Sequence, residues 1–429
     1  MQQTDTPSPV AVGTPSSPAP HDRRSNSEAR TATRSTERSA LPSPHVQRRV
    51  TAKGQVTKPK QAQKRDARST SKDKARKKSG NIGRTSSDAA SHTLENSESA
   101  STRPAAQSYP FPTRPSMPTW YTSVSQQSLA QLDRRRPQEL AAIDALKDCI
   151  RRCEQEGDKS KLTKEYNDLR NHIHKAEIKL DMDKVKAKKT RILTEMGLPR
   201  IFNKYADFPW DLKADAWYLY ERWMNEDFEQ DILRGIVTVK GKDRNGDRLD
   251  RAYTTKHPKD PKIIGNNGAV IGQWWPSQLC AVRDGVHGAP QGGIYGDKDR
   301  GAYSIVLSGG GYHDRDDGDT IEYSGTEGSN FEIKAATQSM ITSAKLGNHI
   351  RVLRSSQLPK SNKYRPSCGL RYDGLYQIKS YKEVDLEKQM YRFHLERVPD
   401  QEPIRFEGVT MRPTVFEEEV YERCKGRIL

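Results

Sequence analysis

The sequence predicts an α+β protein: a twisted, mainly antiparallel β domain with few helices of its own, preceded by a helical hairpin and a disordered N-terminal tail. Three observations carry this reading. Large apolar residues are almost missing before residue 120, they recur at three- and four-residue steps between 138 and 195, and beyond Gly235 they alternate in short runs bounded by glycine. Over 429 residues, hydrophobic types make up 33% against 30% charged, too polar for folded structure throughout.

Residues 1–120 are rich in Ser, Thr, Pro, Ala, Gln, Lys and Arg and cannot bury enough surface to offset chain entropy, so they are expected to be a disordered basic tail. The first hundred residues hold 19 Lys and Arg against 9 Asp and Glu, within a formal net charge of +17 for the whole chain. A polyanion is the natural partner. The cluster from Lys72 to Lys78 is dense enough for a nuclear import signal or a DNA-phosphate patch, and equally reads as a solvated charge run. No run of about 18 apolar residues exists and the N-terminus lacks an apolar signal core, so an intracellular protein without membrane contact is expected. The five cysteines form no CxxC pair and no Cys/His array, which argues against structural zinc.

From Pro137 the texture changes. Leu140, Ile143, Leu146, Ile150 and Cys153 make one stripe, and Leu162, Tyr166, Leu169, Ile173, Ala176 and Leu180 repeat it after Glu156-Gly157-Asp158. A hairpin domain over 137–197 is predicted, with one helix over 138–155 and a longer basic one over 160–195 ending at Gly197-Leu198-Pro199. Two readings stay open: a homodimerising coiled coil through residues 138–195, or an intramolecular hairpin packed on the next domain. Asp215 to Leu233 reads as a further amphipathic helix at the start of a 210–429 domain whose core is 265–408. Within it, Tyr303, Ile305 and Leu307 alternate with Ser304, Val306 and Ser308. Ile350–Leu353, Leu375–Tyr381 and Met390–Val398 are further strands, and Ala335–Ala344 a helix.

The segment Gly301 to Gly325 runs from a strand into three glycines and an acidic loop with a tyrosine at each end. Two flat rings and a carboxylate on freely bending backbone suit a site for one extruded nucleobase. Calcium is a poor alternative, because an EF-hand register begun at Asp314 misplaces its glycine and ends on Gly325. Asp314, Asp316, Asp317 and Asp319 could hold magnesium for a nuclease, but no partner lysine or second acidic segment accompanies them. No Gly-rich phosphate loop, nucleophile elbow or Cys/His pair occurs either, so no catalytic residue, metal or cofactor is expected. A scaffold binding nucleic acid without regard to sequence is a third class.

Several segments in order resemble the SRA/YDG domain, the SET- and RING-associated module that binds DNA containing 5-methylcytosine. They are Ile271-Gly272-Gln273-Trp274-Trp275, Arg283-Asp284-Gly285-Val286-His287, Gln291-Gly292-Gly293-Ile294-Tyr295-Gly296, the strand Gly301 to Gly310, Asn362-Lys363-Tyr364, and Arg371-Tyr372-Asp373-Gly374-Leu375-Tyr376. The resemblance covers about 265–408 and implies a barrel-like sheet that flips the modified base out of double-stranded DNA. Tyr312 and Tyr323 match the family's stacking tyrosines. The loop is one residue shorter than the family pattern, so Asp314 is the first candidate to read the cytosine edge and Asp316 the second. Ser324 stands where the family has a hydroxyl, and Ser308, Gly310 and Gly311 would line the pocket. Gln291 matches the residue that fills the hole left in the duplex. Arg283, Lys298, Arg300, Lys363 and Arg371 are the expected phosphate contacts, Tyr372-Asp373-Gly374 a turn into a strand, and the nucleus the expected location. The family's second probing loop carries an Asn-Lys-Arg run; here Ser329-Asn330-Phe331-Glu332 stands instead.

Overall fold

The computed structural model describes residues 91–93, 111–241, 245–309 and 314–428. The Lys72–Lys78 cluster and most of the expected tail lie outside the described residues. The tail boundary needs correcting, because from Phe111 onward the chain is packed. Phe111 meets Trp217 at 5.8 Å between rings, Trp120 is 5% exposed and donates its indole N–H to the Met224 carbonyl, and Arg114 pairs with Glu221 at 2.7 Å. Two aromatic anchors outweigh the polar composition around them.

Seven helices follow: α1 (Thr119–Ser123), α2 (Gln126–Arg135), α3 (Gln138–Gln155), α4 (Lys159–Ile178), α5 (Lys184–Thr190), α6 (Pro199–Phe202) and α7 (Trp210–Met224). The second hairpin helix was expected to run to 195, but α4 stops at Ile178. Asp183 starts a new helix by accepting from the N–H groups of Val185 (2.7 Å) and Lys186 (2.8 Å), an N-cap that ends one helix and begins another. The helix expected over 215–233 instead begins at Trp210, behind Pro209, and ends at Met224. Ile143, Leu146 and Ile150 of α3, Leu169 and Ile173 of α4, and Leu212 and Leu219 of α7 are all at most 1% exposed in one shared core. The stripe is consumed inside the chain, which removes it as the seam of a coiled-coil dimer.

The strands are β1 (Ser91–Thr93), β2 (Ile236–Val239), β3 (Gly246–Leu249), β4 (Trp274–Trp275), β5 (Ile294–Asp297), β6 (Gly301–Leu307), β7 (Arg315–Asp316), β8 (Thr320–Ser324), β9 (His349–Ser355), β10 (Leu370–Asp385) and β11 (Met390–Arg397). Helices α8 (Arg251–Lys256), α9 (Gln278–Arg283), α10 (Ala335–Leu346) and α11 (Val415–Cys424) lie among and after them. The order β5-β6-β9-β10-β11-β8-β7 is antiparallel except for the β6–β9 pair, and β1 and β4 add to β10. β10 serves so many partners because it is 16 residues long and bulged after Tyr372 and Ile378, which re-aims its two ends. Tyr372-Asp373-Gly374 is therefore a bulge inside a strand, with Gly374 at φ +111, rather than a turn.

The sheet curls. β6 and β8 are four places apart, about 19 Å in a flat sheet at ~4.8 Å per strand. Yet the Tyr323 hydroxyl of β8 reaches the Val306 carbonyl of β6 at 3.4 Å, and Arg354 of β9 pairs with Asp316 of β7 at 2.7 Å. α10 packs against β5, β6 and β10, and the enclosed core holds Ile305, Leu307, Ile321, Met340, Val352 and Phe393, none more than 1% exposed.

A third core joins helical and sheet parts. Ile178, Ile232 and Leu233 pack with Trp274, Trp275, Leu353, Tyr372 and Cys424. Beside it, the Asp215 carboxylate accepts from Arg405 (2.7 and 2.9 Å), Arg412 (3.2 Å) and His174 (2.8 Å). Burial opposes its charge, but the two guanidinium groups outweigh that and hold the carboxyl well below its usual range.

Candidate nucleic-acid interface

The acidic loop arrives on β7 and leaves through β8. Tyr312, Gly310 and Gly311 lie outside the described residues. Of the two candidate aspartates, Asp316 is fully committed to the fold. Its oxygens accept from Arg354 at 2.7 and 2.8 Å, from the Asn362 amide at 2.9 Å and from the Gly318 N–H at 3.1 Å. Burial works against ionisation, but Arg354 and the other donors prevail and hold its carboxyl below the usual range. Arg354 is 0% exposed and also donates to Asp373 (3.0 Å), which in turn accepts from Arg371 at 2.6 Å. Asp316 is corrected from base reader to anchor of the loop, since a carboxylate with every acceptor direction used has nothing left for a ligand.

Asp314 differs. It is half-buried just before β7, and its Oδ1 accepts from the Ser324 backbone N–H at 2.8 Å. Burial pushes its carboxyl above the usual range, opposed by Ser324 and by the charge of Arg392. The Ser324 hydroxyl is buried, 4% exposed, beside the Asp314 carboxyl. Tyr323, the preceding residue, is 5% exposed and points to the other side of β8, into the curled core. The end of β8 therefore carries Asp314 and Ser324 on one side and the Tyr323 ring on the other. Ser308 is half-buried at the end of β6.

The loop carrying exposed Gln291 touches the Tyr323 hydroxyl. A Cβ on Gly293 would fall 2.5 Å from the Tyr323 hydroxyl, so only glycine lets the loop lie so close. Two residues not expected from the sequence hold the loop. The Gln278 amide on α9 donates to the carbonyls of Ala289 (2.8 Å) and Gly292 (2.9 Å). His287, 0% exposed, contacts the Gly292 carbonyl through Nε2 (3.2 Å) and the Ser304 hydroxyl through Nδ1 (2.7 Å). A carbonyl can only accept, so Nε2 carries the proton and Nδ1 accepts from Ser304. Burial lowers the imidazole to about 4, keeping it neutral. Inclusion of His287 in a matching string was the one sequence hint; nothing marked Gln278.

The expected phosphate contacts divide. Lys298 and Arg300 are exposed on the β5–β6 turn, and Lys363 is exposed with its ammonium over Tyr364 at 4.9 Å. Arg283 and Arg371 are corrected: they are 3% and 1% exposed and bound to Asp284 and Asp373. Each guanidinium is a structural cation, stripped of water and satisfied internally. The loop after β8 presents Phe331, 68% exposed at φ +60, next to Asn330 at φ +56. Among the described residues, no group of three or more His, Cys, Asp and Glu side chains could hold a metal ion. No described helix is long and apolar enough to cross a membrane.

Residues 263–401 match the family model of the SAD/SRA domain. This chain carries a SAD/SRA domain. Curated relatives include a UHRF1-like protein of Cryptococcus neoformans, 31% identical over 169 residues covering 34% of this chain and 49% of that protein. The E3 ubiquitin-protein ligase UHRF1 of Danio rerio is 31% identical over 142 residues, covering 27% of this chain and 18% of that protein. For the E3 ubiquitin-protein ligase ORTHRUS 2 of Arabidopsis thaliana the figures are 28% over 184 residues, 33% and 28%. The match thus spans about half or less of these relatives. Similar solved structures include the SUVH5 SRA domain bound to fully hydroxymethylated CG DNA, 27% identical over 33% of this chain and 98% of that one, TM-score 0.28. Another is a modification-dependent TagI restriction endonuclease, 29% identical over 33% of this chain and 54% of that one, TM-score 0.30.

Proposed function

We propose that the SAD/SRA domain binds double-stranded DNA containing 5-methylcytosine and takes the modified base out of the stack into the site at the end of β8, as a nuclear, chromatin-associated reader without a catalytic step. The observation that supports this most is the neighbourhood of Asp314, Ser324 and Tyr323 at the end of β8, with the Tyr323 hydroxyl against the loop of Gln291. Extruding a base costs a few kcal/mol in stacking and pairing. Stacking on Tyr323, with Tyr312 on the other face, returns about 1–3 kcal/mol per base. Asp314 accepts from the exocyclic amine of cytosine, an edge that thymine does not offer. The Ser324 hydroxyl adds a polar contact, and Gln291 fills the vacated place and hydrogen-bonds the orphaned guanine. Lys298, Arg300 and Lys363 meet phosphate. The ubiquitin-ligase activity named for the relatives belongs to proteins of which only a minor part is matched, and it is not transferred to this chain.

The experiment places a fluorescent cytosine analogue at the target position of a methylated duplex and titrates in the full chain. Flipping unstacks the analogue and raises its emission, and Tyr323→Ala abolishes the rise while weakening binding to methylated duplex only. An analogue that stays quenched at saturation, or equal affinity for methylated and unmethylated duplexes at every salt concentration, would overturn the proposal in favour of backbone-only binding.

A further inference from the structure

Ahead of the matched segment, β2 and β3 form a two-stranded sheet that does not join the nine-stranded one. Isolated hairpins are marginally stable in water, and the packing of this one among the described residues lies at its base. Ile236 packs on the third core, and β3 packs against α9. Beyond that base the ribbon stands in solvent. Thr238 and Lys240 are exposed, as is Arg248, and Val239 is 42% exposed. The register pairs Val237 with Arg248 and Thr238 with Asp247. Arg248 therefore points to one face of the ribbon, while Lys240, one residue past Val239, projects to the other. Neither cation has an ion pair with any described residue. Asp247, the nearby acid, accepts from the Thr238 hydroxyl at 2.7 Å.

The ribbon's position matters as much as its charge. It packs on α9, whose first residue, Gln278, holds the Gln291 loop at both ends. Six helical residues span about 9 Å, four strand residues about 14 Å and packed elements lie roughly 10 Å apart, so the ribbon's far end lies within about 35 Å of Gln291, one turn of DNA. Between them runs a loop with exposed Lys259 and Lys262, fixed by the Arg351 guanidinium, which donates to the carbonyls of Pro261 and Val286 at 2.8 Å.

We propose that the β2–β3 ribbon is a second DNA contact that lies along the duplex about one helical turn from the flipped base, with Arg248 and Lys240 on phosphates to either side. The major groove is about 12 Å wide and admits a two-stranded ribbon. Phosphate rows flank the groove on both sides, as the two cations flank the ribbon. This contact carries no information about methylation; it adds affinity and fixes the direction in which the protein lies on DNA. The inference rests on the base-reading proposal for where the duplex sits.

The test compares the full chain with a Lys240→Glu/Arg248→Glu variant on two methylated duplexes with the target at the centre, one about 10 and one about 24 base pairs long, reaching roughly 17 and 40 Å from the base. On the long duplex the variant binds at least tenfold more weakly, and its slope of log affinity against log salt falls by about 2, near 0.9 for each phosphate contact. On the short duplex it matches the wild type, and the ratio of methylated to unmethylated affinity is unchanged. A Lys159→Glu/Lys161→Glu variant at the start of α4, with the same change in net charge, behaves as wild type on both. An unchanged slope on the long duplex, or equal loss on both lengths, would refute the ribbon contact. A wild type showing no preference for methylated DNA, with the length-dependent loss intact, would sink the base-reading proposal and leave the ribbon standing.

Discussion

The two loop aspartates, two residues apart, should respond in opposite ways to the same isosteric change. In Asp316→Asn the Arg354 guanidinium, 0% exposed, loses a bidentate carboxylate and keeps only Asp373 as a charged partner. Breaking a buried ion pair costs about 3–5 kcal/mol, and the surviving Asp373 places the expected loss near the lower end, about 3 kcal/mol. With a urea dependence near 3 kcal/mol/M, the midpoint falls by about 1 M. Asp314→Asn has the reverse sign. Burial raises the Asp314 carboxyl above its unfolded value, so its ionised form costs stability at neutral pH, and a neutral amide removes that cost while Oδ1 still accepts from Ser324. Stability should equal or exceed wild type. The new amide N–H₂ then faces the cytosine amine, donor against donor, and affinity for methylated duplex should drop by about 1–3 kcal/mol, roughly 5- to 150-fold. Urea denaturation and fluorescence anisotropy on the same preparations decide it. An Asp316→Asn protein of wild-type stability, or an Asp314→Asn protein that is less stable yet binds normally, would refute this assignment of roles.

Three further outcomes are expected. His287 should stay neutral down to about pH 4 rather than 6.5, so stability falls with acid through that window, by at most about 3 kcal/mol at 1.36 kcal/mol per pH unit; an imidazole NMR titration midpoint near 6.5 in the folded protein would contradict this. Gly293→Ala puts a methyl group against the Tyr323 hydroxyl and should cost about 1–3 kcal/mol. Adding Tyr323→Phe should recover part of it, and strictly additive losses would show that the two residues do not touch. Phe331→Gly relieves a left-handed conformation that costs an L-residue about 1–2 kcal/mol. Thermal denaturation should show a gain of about 1 kcal/mol, and a loss would mean that the exposed ring makes stabilising contacts.

What could be read from the sequence was mostly local. The alternation of Tyr303, Ile305 and Leu307 marks β6, and the 4-3 spacing marks α3 and the start of α4, because burial of one face repeats at a period visible within a few residues. Partnerships between distant residues leave no such period. Arg354 meets Asp316 from 38 positions away and Arg405 meets Asp215 from 190, so formal charge alone could not show that Arg283 and Arg371 are internal rather than phosphate-facing. The hairpin's fate was undecidable for the same reason: an apolar stripe looks alike whether α7 or a second copy covers it. At the candidate site, matching segments located the end of β8 and the Gln291 loop. The distinction between Asp314 and Asp316 needed the curl of the sheet, which brings β9 to β7.

The junction around Asp215 sets how the molecule can be cut. A fragment trimmed to the matched residues 263–401 would lose Ile178, Ile232, Leu233 and Cys424 from the cluster beneath Trp274 and Trp275, along with Arg405, Arg412 and their shared acid. Two large indoles would then be laid open to water at a sticky face. Recombinant work on this chain should therefore begin no later than Phe111 and keep α11, because the boundary recognised by homology falls inside a unit that must be expressed whole.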